Sequence, residues 1–205
     1  MSRPHPDLPG LLADADLTDS AAEWPVSAST PGFSNPYLSL AVDTIVDPGG
    51  DEHDRVVVRP HGAIGVVALD DEDRVLLVEQ YRHPVRRRML EIPAGTLDVA
   101  GEDPLDAAVR ELAEEADLTA DDWTRELGIH ATPGYSSEAW TVYRASGLKP
   151  VPHDDRTERV AEEADMQQWW LPFDAAIDAV LAGRISDGMT VAGLLAEQVR
   201  RSRDR

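Results

Sequence analysis

Cysteine is absent from the 205 residues, which excludes disulfides, thiolate nucleophiles and cysteine-bound zinc and leaves no sign of an oxidising compartment. No apolar run approaches the roughly 20 residues needed to cross a bilayer. Residues 1–10 are polar and proline-rich, where a secretory signal would be basic and then apolar. These absences lead to the expectation of a cytoplasmic protein with no membrane partner. Positive charge is also scarce: 19 Lys and Arg stand against 39 Asp and Glu, a formal net charge of −20. Such a surface repels nucleic-acid backbones, so no nucleic-acid partner is expected, and any anionic substrate needs local arginines and metal ions to overcome the field. Internal repeats and low-complexity tracts are missing as well. What is present suffices for a core: 42% hydrophobic and 28% charged residues in a chain of this length predict one compact domain with room for a small appended one.

Residues 1–23 show weak periodicity and read as a loose tail. Strand-like alternation begins at residues 38–42, breaks at the turn Asp47-Pro48-Gly49-Gly50-Asp51 and resumes at 56–58. Residues 63–69 and 75–81 flank the acidic turn at 70–73 and are expected to form a second hairpin, its near-continuous apolar strands covered on both faces. Asp103-Pro104 supplies an N-cap followed by proline at the first helical position. Leu105, Val109, Leu112 and Ala116 then recur at helical spacing and predict one narrow buried stripe. Strands are expected at 123–131, 139–145 and 166–171. Two closing helices are expected, one over about 174–182 ending at Gly183, the other from about Asp187 with Val191, Leu194, Leu195 and Val199 inward. The implied class is α/β, a mixed sheet covered by helices.

Glu111 and Glu115, four residues apart, lie about 40° apart around a helix axis, with Glu114 on the adjoining side. Their mutual repulsion costs helix stability unless something positive sits between them, and Mg²⁺, which takes hard oxygen ligands and bridges to phosphates, suits that place. Arg110 is expected on the far side of the helix, able to brace the cluster. An acidic run on a helix is ordinarily a solvated face, so spacing has to decide. Seven residues separate Glu102 from Arg110-Glu111-Leu112-Ala113-Glu114-Glu115, two more separate that run from Leu118, and Glu91-Ile92-Pro93-Ala94-Gly95 stands upstream.

At that spacing the segment 95–118 resembles the signature box of the Nudix hydrolase family: glycine, spacer, Glu, seven residues, then Arg-Glu-apolar-x-Glu-Glu-x-Gly-apolar. Two departures are visible. The loop from Thr96 to Gly101 is one residue longer, and Asp117 replaces the closing glycine at a left-handed helix exit. The resemblance implies a Nudix-type α/β/α sandwich around a mixed sheet, with an N-terminal antiparallel β segment. It implies Glu111 and Glu115 as principal metal ligands, Glu114 sharing the site, the Ala94 carbonyl as a further ligand, and Mg²⁺, with Mn²⁺ able to substitute, activating a water. The chain then divides into a tail over 1–23, a dimerising β segment over 24–60 and the hydrolase domain over 61–205.

Three stretches resemble the ADP-ribose pyrophosphatase branch: Gln80-Tyr81-Arg82-His83-Pro84, the loop 131–138 with Pro133 fifteen residues past Leu118, and Glu162-Glu163-Ala164-Asp165-Met166. By that resemblance Glu163, or its neighbour Glu162, orients or deprotonates the water from a mobile loop. Arg82 grips substrate phosphates. Arg55 and Tyr37 reach across the interface of a homodimer, and Pro133 and Glu138 belong to the substrate loop. The expected substrate is a nucleotide-sugar. Competing readings are a diphosphatase for GDP-mannose or dinucleotides, a catalytically silent nucleotide sensor on the same fold, and a plain acidic interaction domain.

Overall fold

The structure is a computed structural model and describes residues 3–13, 16–159 and 164–203. Two exposed two-residue strands, β1 (Arg3–Pro4) and β2 (Leu11–Leu12), pair antiparallel within what reads as a tail. A three-stranded antiparallel sheet follows, of β3 (Val26–Ser34), β4 (Leu38–Val46) and β5 (Glu52–Pro60). β3, with Pro31 and Gly32 in its middle, has no strand pattern of its own. It is exposed along its whole length and exists through its pairing with β4, interrupted by two bulges.

The remaining chain forms β6 (Ala63–Ala68), β7 (Arg74–Arg82), β8 (Arg87–Glu91), β9 (Ala94–Thr96), α1 (Pro104–Ala116), β10 (Leu118–His130), β11 (Ala139–Pro150), β12 (Gln167–Pro172), α2 (Phe173–Leu181) and α3 (Gly188–Arg203). β6 and β7 do not form the expected hairpin. The turn is there: the Asp70 amide donates to the Arg74 carbonyl at 3.0 Å, and Asp73 sits at φ 58°. Beyond the single Leu69–Val75 bridge the two strands part into different sheets. One sheet runs β10-β11-β6-β9, with β11 and β6 parallel; the other runs β12-β7-β8 and is antiparallel. Each strand is apolar on both faces and uses both edges on other partners, so neither edge is left for a hairpin.

The two-sided burial itself is as expected. Ile64, Val66, Ala68 and Leu76 face α1, whereas Val67, Leu69, Val75 and Leu77 face α2 and α3. α3 comes close to the sheet at Gly193, where a Cβ would lie 3.0 Å from Val67 and 3.1 Å from Val142.

Helix faces differ from the periodic reading. On α1 the buried line is Ala107, Ala108, Leu112 and Ala116, while Val109 is 39% exposed. Alanines allow the helix to lie low on the sheet, and this rotates the apolar valine outward. On α3 the buried residues are Met189, Thr190, Gly193, Leu194 and Glu197, and Val199 faces out. β10 begins at Leu118, directly after the left-handed Asp117, rather than near Trp123.

Buried Glu197 accepts from Arg200 at 2.7 Å and Arg201 at 2.6 Å, and Arg200 also lies 3.2 Å from Glu126 on β10. Burial first, then the Glu197 charge, pushes the Glu126 carboxyl above its ordinary range, against the pull of Arg200 and Arg144. An acid raised in this way stabilises the fold fully below its unfolded value of about 4.3 and loses that contribution as pH rises through its folded pKa. The melting-temperature difference between Glu126→Gln and wild type is therefore expected to move in favour of the variant from about pH 4 to pH 7. A pH-independent difference in scanning calorimetry would contradict this.

Candidate active site

Asp103 accepts from the Leu105 amide at 2.9 Å, Pro104 opens α1, and Asp117 closes it at φ 56°, ψ 36°. Between these ends the helix presents its acidic face to the β9 strand. Gly95 makes this approach possible: a Cβ there would lie 2.0 Å from the Glu111 carboxyl carbon. The longer loop over 96–101 bends outward, with Gly101 at φ 82° and the Glu102 amide donating to the Val99 carbonyl at 3.2 Å.

Arg110 stands among the carboxylates rather than on the far side of the helix. Its Nε and Nη2 donate to the two oxygens of Glu102 at 3.1 and 3.0 Å, and its Nη1 donates to Glu111 at 2.7 Å and Glu114 at 3.2 Å. Attraction between like-charged neighbours and one guanidinium pulls the long arginine back over its own helix. Arg110 lowers the Glu102 pKa, chiefly through these hydrogen bonds. Glu115, 4% exposed, turns inward and accepts from the Ala94 amide at 2.8 Å.

Three carboxylates and the adjacent Ala94 carbonyl form an all-oxygen donor set of the kind hard divalent cations take. In this conformation Glu111 and Glu114 are turned to Arg110, and among the described residues no three acidic or imidazole groups converge on one cation-sized point. The donor chemistry fits a divalent ion, and uptake requires those two side chains to swing away from Arg110.

Opposite the glutamates, Arg82 is held by Glu91, with Nε donating at 3.0 Å and Nη2 at 2.6 Å. Glu91 is 4% exposed and also accepts from Gln80 at 3.4 Å. The Glu91 hydrogen bonds are the main reason the Arg82 pKa is raised, with Glu115 and Asp187 adding further negative charge. Arg82, Glu91, Ala94, Glu111, Glu114, Glu115 and Glu138 line one cleft of about 560 Å³, together with Gln80, Trp140, Asp187 and Met189. That volume suits a small-molecule ligand.

Not every expected residue meets the cleft. Tyr37, 69% exposed, and Arg55, whose Nη1 donates to the Asp54 carbonyl, stay on the N-terminal sheet. Pro133 is exposed on the loop over 131–138. That loop is pinned to β5 by the Val58 amide donating to the Tyr135 carbonyl at 2.8 Å and by Ser137 donating to Val58 at 3.0 Å. Glu162 and Glu163 lie outside the described residues. Sequence reasoning did not single out Glu91, Trp140 or Asp187. For Glu91 a signal exists, since it is a lone carboxylate between Leu90 and Ile92 in an apolar stretch.

A family model described as the NUDIX domain matches residues 59–189. The chain is 44% identical over 159 residues to an ADP-ribose pyrophosphatase of Mycobacterium tuberculosis, covering 78% of this chain and 75% of that one. It is 33% identical over 159 residues to a methanol dehydrogenase activator of Bacillus methanolicus, covering 78% and 84%. A solved ADP compounds hydrolase superposes with a TM-score of 0.75 over 91% of this chain and 98% of that one, at 18% identity, which establishes likeness of fold.

Gly95→Ala is expected to force Glu111 off β9 and to weaken Mn²⁺ binding in calorimetric titration by about 10–100-fold. Gly134→Ala, where a Cβ meets open space, should leave binding unchanged. Equal affinities for the two variants would show that the Gly95 contact does not shape the site.

Proposed function

The chain belongs to the Nudix family, and from that premise we propose that it hydrolyses the diphosphate linkage of ADP-ribose or a related ADP-sugar, giving AMP and a sugar phosphate. One observation carries this reading: the three α1 glutamates and the braced Arg82 open on a single cleft, in a chain closely similar to a protein named for that reaction. Hydrolases of this family need a divalent metal. Mg²⁺, with Mn²⁺ as a substitute, would neutralise the diphosphate and lower the pKa of a water.

In the proposed reaction Glu111, Glu115 and the Ala94 carbonyl hold the cation and Glu114 shares it. Arg110 keeps its two hydrogen bonds to Glu102 when the other carboxylates turn away. Arg82, its plane set by Glu91, takes the substrate phosphates as a directional donor. Glu163, with Glu162 as the alternative, accepts a proton from the attacking water. The water oxygen bonds to one phosphorus, and the bridging oxygen leaves with the other phosphate.

Homodimerisation through the segment 24–60 belongs to the same proposal. It is supported by a β3 exposed throughout and by the open side chains of Val26, Phe33, Tyr37 and Val56. Arg55 and Tyr37 of one protomer then complete the cleft of its partner, Tyr37 offering a flat ring to adenine, while Pro133 and Glu138 supply the substrate loop. The net charge of −20 supports the absence of a nucleic-acid partner. No helix among the described residues is long and apolar enough to cross a membrane, and we place the enzyme in the cytoplasm.

With Mg²⁺ or Mn²⁺, ADP-ribose is expected to be turned over in preference to GDP-mannose, diadenosine polyphosphates and nucleoside triphosphates; preferred triphosphate turnover would overturn the assignment. One relative is named for activating a dehydrogenase, so turnover itself has to be measured. Glu163→Gln should lower kcat by about 10²–10⁴-fold, and Glu115→Gln, which removes charge from the metal site, should lower it as well. Near-wild-type activity in the first would remove Glu163 from its role. Light scattering at micromolar concentration should give about twice the monomer mass; a monomer would end the cross-subunit roles of Arg55 and Tyr37.

A further inference from the structure

Four consecutive residues at the cleft are tied to four separate elements of the fold. Glu91 grips Arg82, the Ile92 amide donates to Thr190 Oγ1 at 2.9 Å, the Pro93 carbonyl accepts from Val66 at 2.8 Å, and the Ala94 amide donates to Glu115 at 2.8 Å. Thr190, in the first turn of α3, is fully buried. Its hydroxyl donates to Asp187 Oδ2 at 2.8 Å, and its amide donates to the same oxygen at 2.8 Å. Asp187 in turn lines the cleft.

Helix capping explains only part of this. An N-cap aspartate needs an amide to bind, and valine at position 190 would supply that amide equally well. The hydroxyl does something else: it accepts from Ile92, in the connection between β8 and β9, 98 positions earlier in the chain. Valine fills the same buried space as threonine and leaves no room there for a water, so the Ile92 amide would be left unpaired at a cost. The same contact is backed by packing, since Ile92 and Met189 together fill the space beside Gly65, where a Cβ would lie 2.8 and 2.4 Å from them.

We propose that Thr190 is a positioning residue: its hydroxyl, aimed by Asp187, sets the segment 91–94 against α3. It thereby keeps Glu91 under Arg82 and Ala94 against Glu115 at the same time. The inference rests on reading Arg82 and Ala94 as groups of the active site. It differs from a purely structural role because loss of the hydroxyl disturbs both halves of the cleft before it disturbs the core.

Thr190→Val keeps the shape and deletes the hydroxyl, and Thr190→Ser keeps the hydroxyl. In Thr190→Val the amides of Ile92 and Ala94 are expected to exchange hydrogen about 10-fold faster or more, while Val67 and Val142 exchange as in wild type. Mn²⁺ affinity by calorimetry, and kcat on ADP-ribose, should fall by about 10–100-fold, and Thr190→Ser should restore both. A folded Thr190→Val with wild-type exchange, affinity and kcat would overturn the proposal, as would a fall in melting temperature with no local change. If Thr190→Val does not fold, Asp187→Ala, at a half-exposed helix end, should show the same local exchange pattern with a smaller loss of Mn²⁺ affinity; unchanged exchange there overturns the proposal. Exchange and Mn²⁺ titration need no substrate. A wild type that leaves ADP-ribose intact would sink the proposed activity and leave this inference to be decided by its own readouts.

Discussion

Crowding of negative charge on one face of α1 is the constraint to which the rest of the molecule answers. At an effective dielectric of about 20, two like charges 4 Å apart repel by about 4 kcal/mol, so Glu111, Glu114 and Glu115 require a counter-charge nearby. In this structure Arg110 supplies it to Glu111 and Glu114, and the Ala94 amide serves Glu115. The arrangement is exchangeable. Arg110 is anchored on Glu102 by two hydrogen bonds and keeps that anchor if Glu111 and Glu114 turn to a metal ion. The carboxylates therefore have two sources of positive charge, and the helix remains tolerable with either.

Placing such a face beside a phosphate-binding arginine requires the chain to bring distant strands together. The parting of β6 and β7 into separate sheets does this. β6 carries β9, and with it Ala94 and Gly95, to the acidic face of α1; β7 carries Arg82 to the opposite wall, against Glu91 on β8. Helices on both sides bury the strands, so the two walls are fixed by the core and not by loops. Among the described residues the segment 91–94 touches both walls, which is why its attachment to α3 bears on the geometry of the whole cleft.

Much of this was readable from local chemistry. The Asp103-Pro104 start, the left-handed Asp117 exit and the spacing of Glu102, Arg110, Glu111 and Glu115 are short-range signals, and the backbone follows them. Misreadings arose where tertiary contacts decide. Val109 satisfies the helical period but gives way to the alanines that bring α1 close to its sheet. Arg110 points away on a helical wheel, yet a long side chain goes to the nearest carboxylates. β3 has no strand pattern and depends on β4 for its register. Asp187 and Thr190 lie some seventy residues beyond the box, so no spacing rule connects them to Ile92.

The central claim is that Glu111 and Glu114 exchange Arg110 for a divalent cation when a diphosphate is to be cleaved. A crystal structure with Mn²⁺ and a non-hydrolysable ADP-ribose analogue tests it most directly. The account expects anomalous density between Glu111, Glu115 and the Ala94 carbonyl, with Arg110 retained on Glu102 alone and Arg82 on the analogue's phosphates. Mn²⁺ density elsewhere, or Glu111 and Glu114 still bound to Arg110 with the analogue in place, would contradict it.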